Sequence, residues 1–137
     1  MQIALEKIHG SYIEQFGGLH HYEAELVRPN QNNTVKFKLI LSSDNSEPLF
    51  QRIYIGPIAL REGFLQGCRP FICLDGCFLK TPHGGELLSA VGRDGNNKIF
   101  PIAWAVVEKE NTEVWIWFLK LLMADIGHRW NWLYYYV

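Results

Sequence analysis

The chain has 137 residues, a length that fits one domain of common size. Hydrophobic residues make up 48% and charged residues only 20%, so the chain can bury a substantial core. The formal net charge of −1 gives no support for a self-sufficient DNA-binding module, because phosphate contacts usually require a basic surface. No apolar run of about 20 residues predicts a membrane span, and the first residues do not resemble a signal peptide.

The first third of the chain predicts a short helix and a strand. Aromatic and leucine residues between positions 12 and 26 recur at spacings of three or four, which indicates one apolar helical face ending near Pro29. Residues 34–41 alternate polar and apolar side chains and predict a strand, followed by a polar loop. Residues 58–66 predict one or two helical turns that end at Gly67.

The second half predicts three strands followed by a helix. The apolar runs 70–80, 86–95 and 98–110 are separated by a loop and by the turn sequence 93–97, RDGNN. A helix is predicted to begin at Asn111 or Thr112 and to end at Gly127. Two hairpin connections would make the strands a meander with the helix over one face. The aromatic tail that follows, residues 128–137, fits no helical or strand pattern.

The most unusual residue is Asp75, which lies within the apolar run PFICLDGCFLK. A carboxylate inside a buried strand is costly unless it is paired, hydrogen-bonded or bound to a metal, so such a residue is a candidate for function. Two other interpretations remain open: Asp75-Gly76 can form a hairpin turn, and Asp75 can be an ordinary carboxylate on an edge strand. The polar setting of the second Asp-Gly pair, Asp94-Gly95, makes that pair the better turn.

The three cysteines give no independent function. Cys68, Cys73 and Cys77 are odd in number, and their spacing matches no common zinc pattern, so they predict reduced, buried thiols in an intracellular protein. A small α/β enzyme that uses Asp75 and Cys77 is a further hypothesis. It is the weakest, because the sequence places no base or orienting partner beside a cysteine nucleophile.

Two long segments resemble a known family. FQRIYIGPIALREGFLQGCRPFICLDGCFLK (residues 50–80) and GGELLSAVGRDGNNKIFPIAWAVVEKENTEVWIWFLKLLMADI (residues 84–126) are similar to the plant Mutator-like (MULE) transposase domain. Residues 12–41 look like the segment that precedes this domain. The resemblance implies an N-terminal segment (1–49), a partial transposase domain (50–127) and an atypical tail (128–137).

The resemblance implies an α/β, ribonuclease H-like fold that is incomplete here, with a three-strand meander, a helix, and an N-terminal extension of a short helix and a strand. Such transposases use Asp, Asp and Glu to hold two Mg²⁺ or Mn²⁺ ions for DNA cleavage and strand transfer. Asp75 matches the first of these residues, as a catalytic and metal-binding carboxylate. The expected position of the second follows the helix, where this sequence departs from the family.

The other carboxylates do not complete that set. Asp125 lies at the helix end, in the wrong place for the role, whereas Glu108, Glu110 and Glu113 are interpreted as solvated or capping residues. One carboxylate cannot assemble a two-metal site. The expectation is therefore a fragment that descends from a DNA-cleaving enzyme and is inactive as written.

Three basic side chains are weak candidates for contacts with DNA. Lys80, His83 and Arg93 flank the loops near Asp75, and ordinary surface charge is the alternative for each. The resemblance also implies DNA as a partner and a nuclear location. The alternative function is a domesticated, non-catalytic protein that keeps part of the fold and binds DNA, a protein partner or a second copy of itself.

Overall fold

The computed structural model describes Glu25, Arg28, residues 30–40, 50–82 and 84–127, and the backbone of residue 49 and of residues 133–136. The chain divides into two compact units, Met1–Gln31 and Asn32–Val137. In the first unit, Arg28 and Glu25 form an exposed ion pair at 3.2 Å. The helix predicted before Pro29 and the loop predicted after the first strand lie outside the described residues, apart from isolated positions.

In the second unit, strands and the two described helices follow one another along the chain. They are β1 (Thr34–Ile40), β2 (Leu49–Gly56), α1 (Ile58–Gly67), β3 (Phe71–Phe78), β4 (Glu86–Arg93), β5 (Ile99–Val107), α2 (Thr112–Ile126) and β6 (Leu133–Tyr136). This α/β arrangement confirms the predicted strands at β1, β3, β4 and β5 and the predicted helices α1 and α2. No helix in the described part of the chain is long and apolar enough to cross a membrane.

All described strands belong to one sheet with the order β1-β2-β5-β4-β3-β6. Strands β3, β4 and β5 are joined as an antiparallel meander, which confirms the predicted hairpins. Strands β1 and β2 extend the sheet beyond β5, and all of these pairings are antiparallel. Strand β6, in contrast, pairs with β3 in parallel.

Both helices pack on the same side of the sheet, called here the helix face. Phe64 of α1 lies so close to Gly92 of β4 that a Cβ at position 92 would be 2.7 Å from its ring. Phe118 of α2 packs edge-on against Tyr54 of β2, with 5.6 Å between the ring centroids. The other fully buried members of this core include Ile72, Leu88, Ala90, Ala105, Val114 and Leu122. The glycine at position 92 therefore allows α1 to approach the sheet.

Local signals explain where α2 begins and ends. The side chain of Asn111 accepts a hydrogen bond from the backbone N–H of Val114 at 2.9 Å, which makes Asn111 the N-cap. Glu113 places a negative charge in the first turn, where the helix dipole favours it. Gly127 follows the last turn with a φ of 79°, a backbone conformation that glycine adopts at little cost.

Two strands were not predicted from the sequence. Residues 49–56 form β2, although Arg52 occupies a buried position on the helix face and breaks the expected alternation of apolar and polar side chains. In the tail, Leu133–Tyr136 forms β6. The interpretation that the tail fits no helical or strand pattern was therefore wrong. Aromatic side chains favour strands when another strand is available for pairing, and β3 provides one.

The predicted domain limits remain predictions. Strand β1, which the sequence places in a segment before the domain, pairs along its length with β2, which the sequence places inside it. Both strands lie in the unit Asn32–Val137.

Candidate functional site around Asp75

Asp75 lies within strand β3 and is paired with Ser89 of β4. The interpretation of Asp75-Gly76 as a hairpin turn was therefore wrong. The turn forms at the second Asp-Gly pair, where the Asp94 carboxylate accepts hydrogen bonds from the backbone N–H groups of Asn96 and Lys98 at 2.9 and 2.8 Å.

Asp75 is exposed, and its position in the strand explains why. Ile72 and Leu74 are buried on the helix face, so the alternation of a strand directs Asp75 to the opposite face of the sheet. Ser89 and Trp104 occupy the same cross-strand row. The expectation of a carboxylate enclosed by apolar neighbours was wrong, because those neighbours along the chain alternate between two faces. Because Asp75 is exposed, its position gives no reason to require a ligand that offsets burial.

A second carboxylate approaches the strand next to Asp75, but on the helix face. A Cβ added to Gly76 would lie 3.0 Å from Oε2 of Glu110 and 3.2 Å from its Cδ. The indole N–H of Trp115 donates a hydrogen bond to Oε1 of Glu110 at 2.8 Å. Gly76 thus leaves room for a carboxylate that Trp115 holds in place, and the interpretation of Glu110 as a solvated residue was wrong.

Glu108 and Glu113 are bound to a buried cation. Arg52 has 1% of its side chain exposed, and its Nη2 donates to Glu108 at 2.7 Å and to Glu113 at 3.2 Å. Lys38 also donates to Glu113 at 3.2 Å, and the bonds from Lys38 and Arg52 lower the pKa of Glu113 below the ordinary glutamate value. The guanidinium lies over the ring of Trp117, 5.3 Å from its centroid. Glu108 and Glu113 therefore neutralise Arg52 and tie β2 to the start of α2.

Asp125, near the end of α2, accepts three hydrogen bonds. The donors are the hydroxyl of Thr34 at 2.6 Å, the phenol of Tyr54 at 2.8 Å and the guanidinium of Arg61 at 3.2 Å. Burial of the phenol, together with the neighbouring Asp125 carboxylate, raises the pKa of Tyr54 far above its ordinary value. Asp125 therefore joins β1, β2, α1 and α2, a structural role that agrees with its exclusion from the catalytic set.

These arrangements determine whether the residues fit a metal site. Hard divalent cations need several oxygen ligands around one point, and a two-metal centre needs more. Within the described residues, no group of three or more His, Cys, Asp or Glu side chains is suitably arranged. The strand beside β3 has the sequence LYYY over 133–136 and contributes no carboxylate. The described donor set therefore does not fit a two-metal centre.

The candidate DNA-contacting residues are not brought together. Lys80 is exposed just after β3, whereas Arg93 is the last residue of β4, at the other end of the β3–β4 hairpin. Arg93 is also engaged locally, because its Nη1 donates to the backbone oxygen of Asn97 at 3.1 Å. His83 lies outside the described residues. A role in DNA binding remains a prediction for all three.

The cysteines are free and differ in exposure. Cys68 and Cys73 are half-buried, whereas Cys77 is exposed, so the expectation of buried thiols was wrong for Cys77. Burial and the nearby Asp94 raise the pKa of Cys68, which keeps this thiol protonated at neutral pH. Directly across from Cys77 lies Leu87, which supplies no base for a cysteine nucleophile.

The sequence did not predict the roles of Arg52 and Glu110. Arginine is rarely buried, so nothing in the local pattern marked Arg52 as a core residue. A signal for Glu110 was present in Gly76, because glycine inside a strand often marks a close approach by another group.

Comparison with known proteins agrees with the family resemblance. Residues 71–130 match the MULE transposase domain. No curated protein and no solved structure is significantly similar to the chain. The match begins at strand β3, which carries Asp75, and includes β4, β5 and α2. Residues 71–130 are therefore related to the MULE transposase domain.

Proposed function

We propose that this chain derives from the catalytic domain of a plant Mutator-like DNA transposase and associates with DNA without cleaving it. The observation that carries the proposal is the position of Asp75. It occupies the strand at which the matched domain begins, yet Glu108 and Glu110, which follow the meander, are bound to other parts of the fold. The ancestral chemistry would be metal-dependent cleavage and strand transfer.

The topology supports a ribonuclease H-like ancestry. In that fold a first carboxylate lies on the first strand of a three-strand meander, and a helix leads to the strand that carries the second. Here Asp75 lies on β3, the meander continues through β4 and β5, and α2 leads to β6. Strand β6 pairs with β3 as far as Leu74, so β6 ends its described pairing one residue before Asp75.

The arrangement of the described carboxylates supports the loss of activity. If a metal were bound, the family chemistry would use it to activate the attacking oxygen and stabilise the leaving oxygen. Asp75 lies on one face of β3, and Glu110 approaches the other face. A metal-dependent step with Mg²⁺ or Mn²⁺ therefore belongs to the proposed ancestry of the chain.

A second candidate is a non-catalytic interaction protein, a domesticated fragment of the fold. The observation in its favour is a group of half-buried apolar side chains on the face that carries Asp75, among them Leu87, Trp104 and Val106. No described helix covers this face. A protein partner or a second copy of the chain would bury these side chains. The DNA-associated function implies a nuclear location, and a partner-binding role leaves the location open.

Cleavage of supercoiled plasmid in Mn²⁺ or Mg²⁺ tests the loss of activity. The full chain is compared with Asp75→Asn and with Glu62→Gln, which alters an exposed carboxylate on α1. We expect all three proteins to leave the plasmid intact. Nicking by the native chain that disappears in Asp75→Asn and persists in Glu62→Gln would overturn the proposal.

Fluorescence anisotropy with a labelled duplex tests the association with DNA. We expect binding that weakens as salt rises, because phosphate contacts release counterions. A protein that binds no duplex at low salt, but forms a stable dimer or captures a protein partner, would favour the interaction role instead.

A further inference from the structure

Phe78, the last residue of β3, is 83% exposed, more than any other large hydrophobic side chain in the described part of the chain. Burying a phenylalanine contributes about 1.5–3 kcal/mol relative to leaving it exposed. Phe78 lies three residues after Asp75 on the same strand, so its side chain is on the helix face, opposite to that of Asp75. An aromatic side chain presented in this way requires an explanation in terms of packing or binding.

The fold explains why Phe78 is not buried. Its position in the alternation of β3 matches that of Ile72 and Leu74, which lie in the core. The core ends before Phe78, because the Glu110 carboxylate occupies the space above Gly76. Phe78 therefore extends past the end of the helix layer, and its ring stacks on no described aromatic residue.

The surroundings of Phe78 select the kind of ligand. Its exposed neighbours along the chain are Cys77, Lys80 and Thr81, and the buried Glu86 lies directly across from it on β4. The ring is therefore a single aromatic platform in polar surroundings rather than part of an apolar patch. Protein interfaces place their aromatic anchors in clustered, desolvated pockets. A nucleobase, in contrast, presents a flat π surface that stacks on one exposed ring, and each such contact contributes about 1–3 kcal/mol.

Charge restricts where the phosphate of such a ligand can lie. Lys80 follows Phe78 by two residues, is exposed, and forms no ion pair with a described residue. Three carboxylates disfavour a phosphate directly at the ring: Asp75 on β3, Glu110 above Gly76, and the buried Glu86 directly across from Phe78. A base over Phe78 with its phosphate towards Lys80 satisfies both conditions.

We propose that Phe78 stacks on an unpaired base of bound DNA and that Lys80 contacts the adjoining phosphate. An unpaired base is required because the faces of bases inside a duplex are already covered by their neighbours. This inference rests on the proposed association with DNA and adds the kind of DNA structure that the site recognises.

The test compares two labelled DNAs with the full chain: a blunt duplex, and the same duplex with a short single-stranded overhang that contains 2-aminopurine. Stacking on an aromatic ring changes the fluorescence of this base. The variants are Phe78→Ala, Phe78→Trp and Ile99→Ala, where Ile99 is a matched control because it is 63% exposed and lies outside the proposed site.

We expect Phe78→Ala to lose about tenfold in affinity for the overhang DNA, which corresponds to one stacked base, and to bind the blunt duplex normally. Phe78→Trp should keep both the affinity and the fluorescence change, and Ile99→Ala should behave as the native chain. Lys80→Ala should weaken binding to the overhang DNA and reduce its dependence on salt.

Equal affinity of Phe78→Ala and the native chain for the overhang DNA would overturn the stacking role. If the native chain and Phe78→Ala both bind the blunt duplex in that case, the proposed association with DNA stands without the stacking role. If neither protein binds either DNA, the stacking role and the association with DNA both fail. An unchanged salt dependence in Lys80→Ala would remove Lys80 from the site.

Discussion

The carboxylates on the two faces of the sheet differ in their contacts and in their exposure. On the helix face, Glu108 and Asp125 accept hydrogen bonds from arginine side chains that lie largely within the fold. On the opposite face, Asp75 is exposed, although it is the residue that the family resemblance marks as catalytic. Acidic residues therefore stabilise the tertiary structure on one side, whereas the candidate functional carboxylate on the other side contributes little to stability.

The largest expected effect comes from Arg52. Arg52→Ala should lower the free energy of unfolding by about 3–5 kcal/mol, because it removes a buried side chain and leaves Glu108 and Glu113 without their shared partner. Arg52→Met should cost less, because its apolar side chain fills much of the volume. Urea denaturation measures both, with the exposed Arg69→Ala as the control. Similar losses in Arg52→Ala and Arg69→Ala would contradict the structural role of Arg52.

A direct comparison of the two sides pairs Asp125→Asn with Asp75→Asn. Asp125→Asn should lower the free energy of unfolding by about 1–3 kcal/mol, because three donors lose a charged acceptor. Asp75→Asn should change it by less than about 0.5 kcal/mol, as is usual for an exposed side chain. Thermal or urea unfolding of the two variants decides the comparison. A larger loss in Asp75→Asn would show that Asp75 has a structural role.

Gly76→Ala tests the close approach of Glu110 to Gly76 on the helix face. The new Cβ would lie 3.0 Å from the Glu110 carboxylate, so we expect a loss of about 1 kcal/mol in the free energy of unfolding. In the Glu110→Ala background the same substitution should cost much less, because the obstructing carboxylate is gone. A double-mutant cycle measures this coupling. Equal costs in both backgrounds would indicate that Glu110 does not explain the glycine.

The smallest expected effect concerns Glu113, which is largely exposed. Its pKa is lowered in the folded state by Lys38 and Arg52, so its ionised form favours the fold at neutral pH. That contribution is lost as the pH falls below the ordinary glutamate range and through the lowered pKa. The stability difference between the native chain and Glu113→Gln should therefore shrink in acid and in high salt. A difference that is constant from neutral to acidic pH would contradict this linkage.

The sequence predicted the meander because its signals are local. Each strand is a short apolar run, and the turn at Asp94-Gly95 has polar neighbours that suit a hairpin. The cap at Asn111 and the end of α2 at Gly127 are likewise set by residues within one helical turn. Strand β2 was missed because a charged residue, Arg52, occupies a core position where the pattern of a strand calls for an apolar side chain. Strand β6 was missed because it pairs with β3, a strand distant in sequence.

The sequence by itself determined the resemblance to the MULE transposase domain, the strand that carries Asp75 and the order of strands and helix that follows, since each rests on contiguous residues. Only the tertiary structure decided how the carboxylates are used. Arg52 and Tyr54 are distant in sequence from the acidic residues that they bind, and no periodic pattern encodes such contacts. The tertiary structure also decided that Asp75 is exposed, because the alternation of β3 turns it away from the face where the helices form the core.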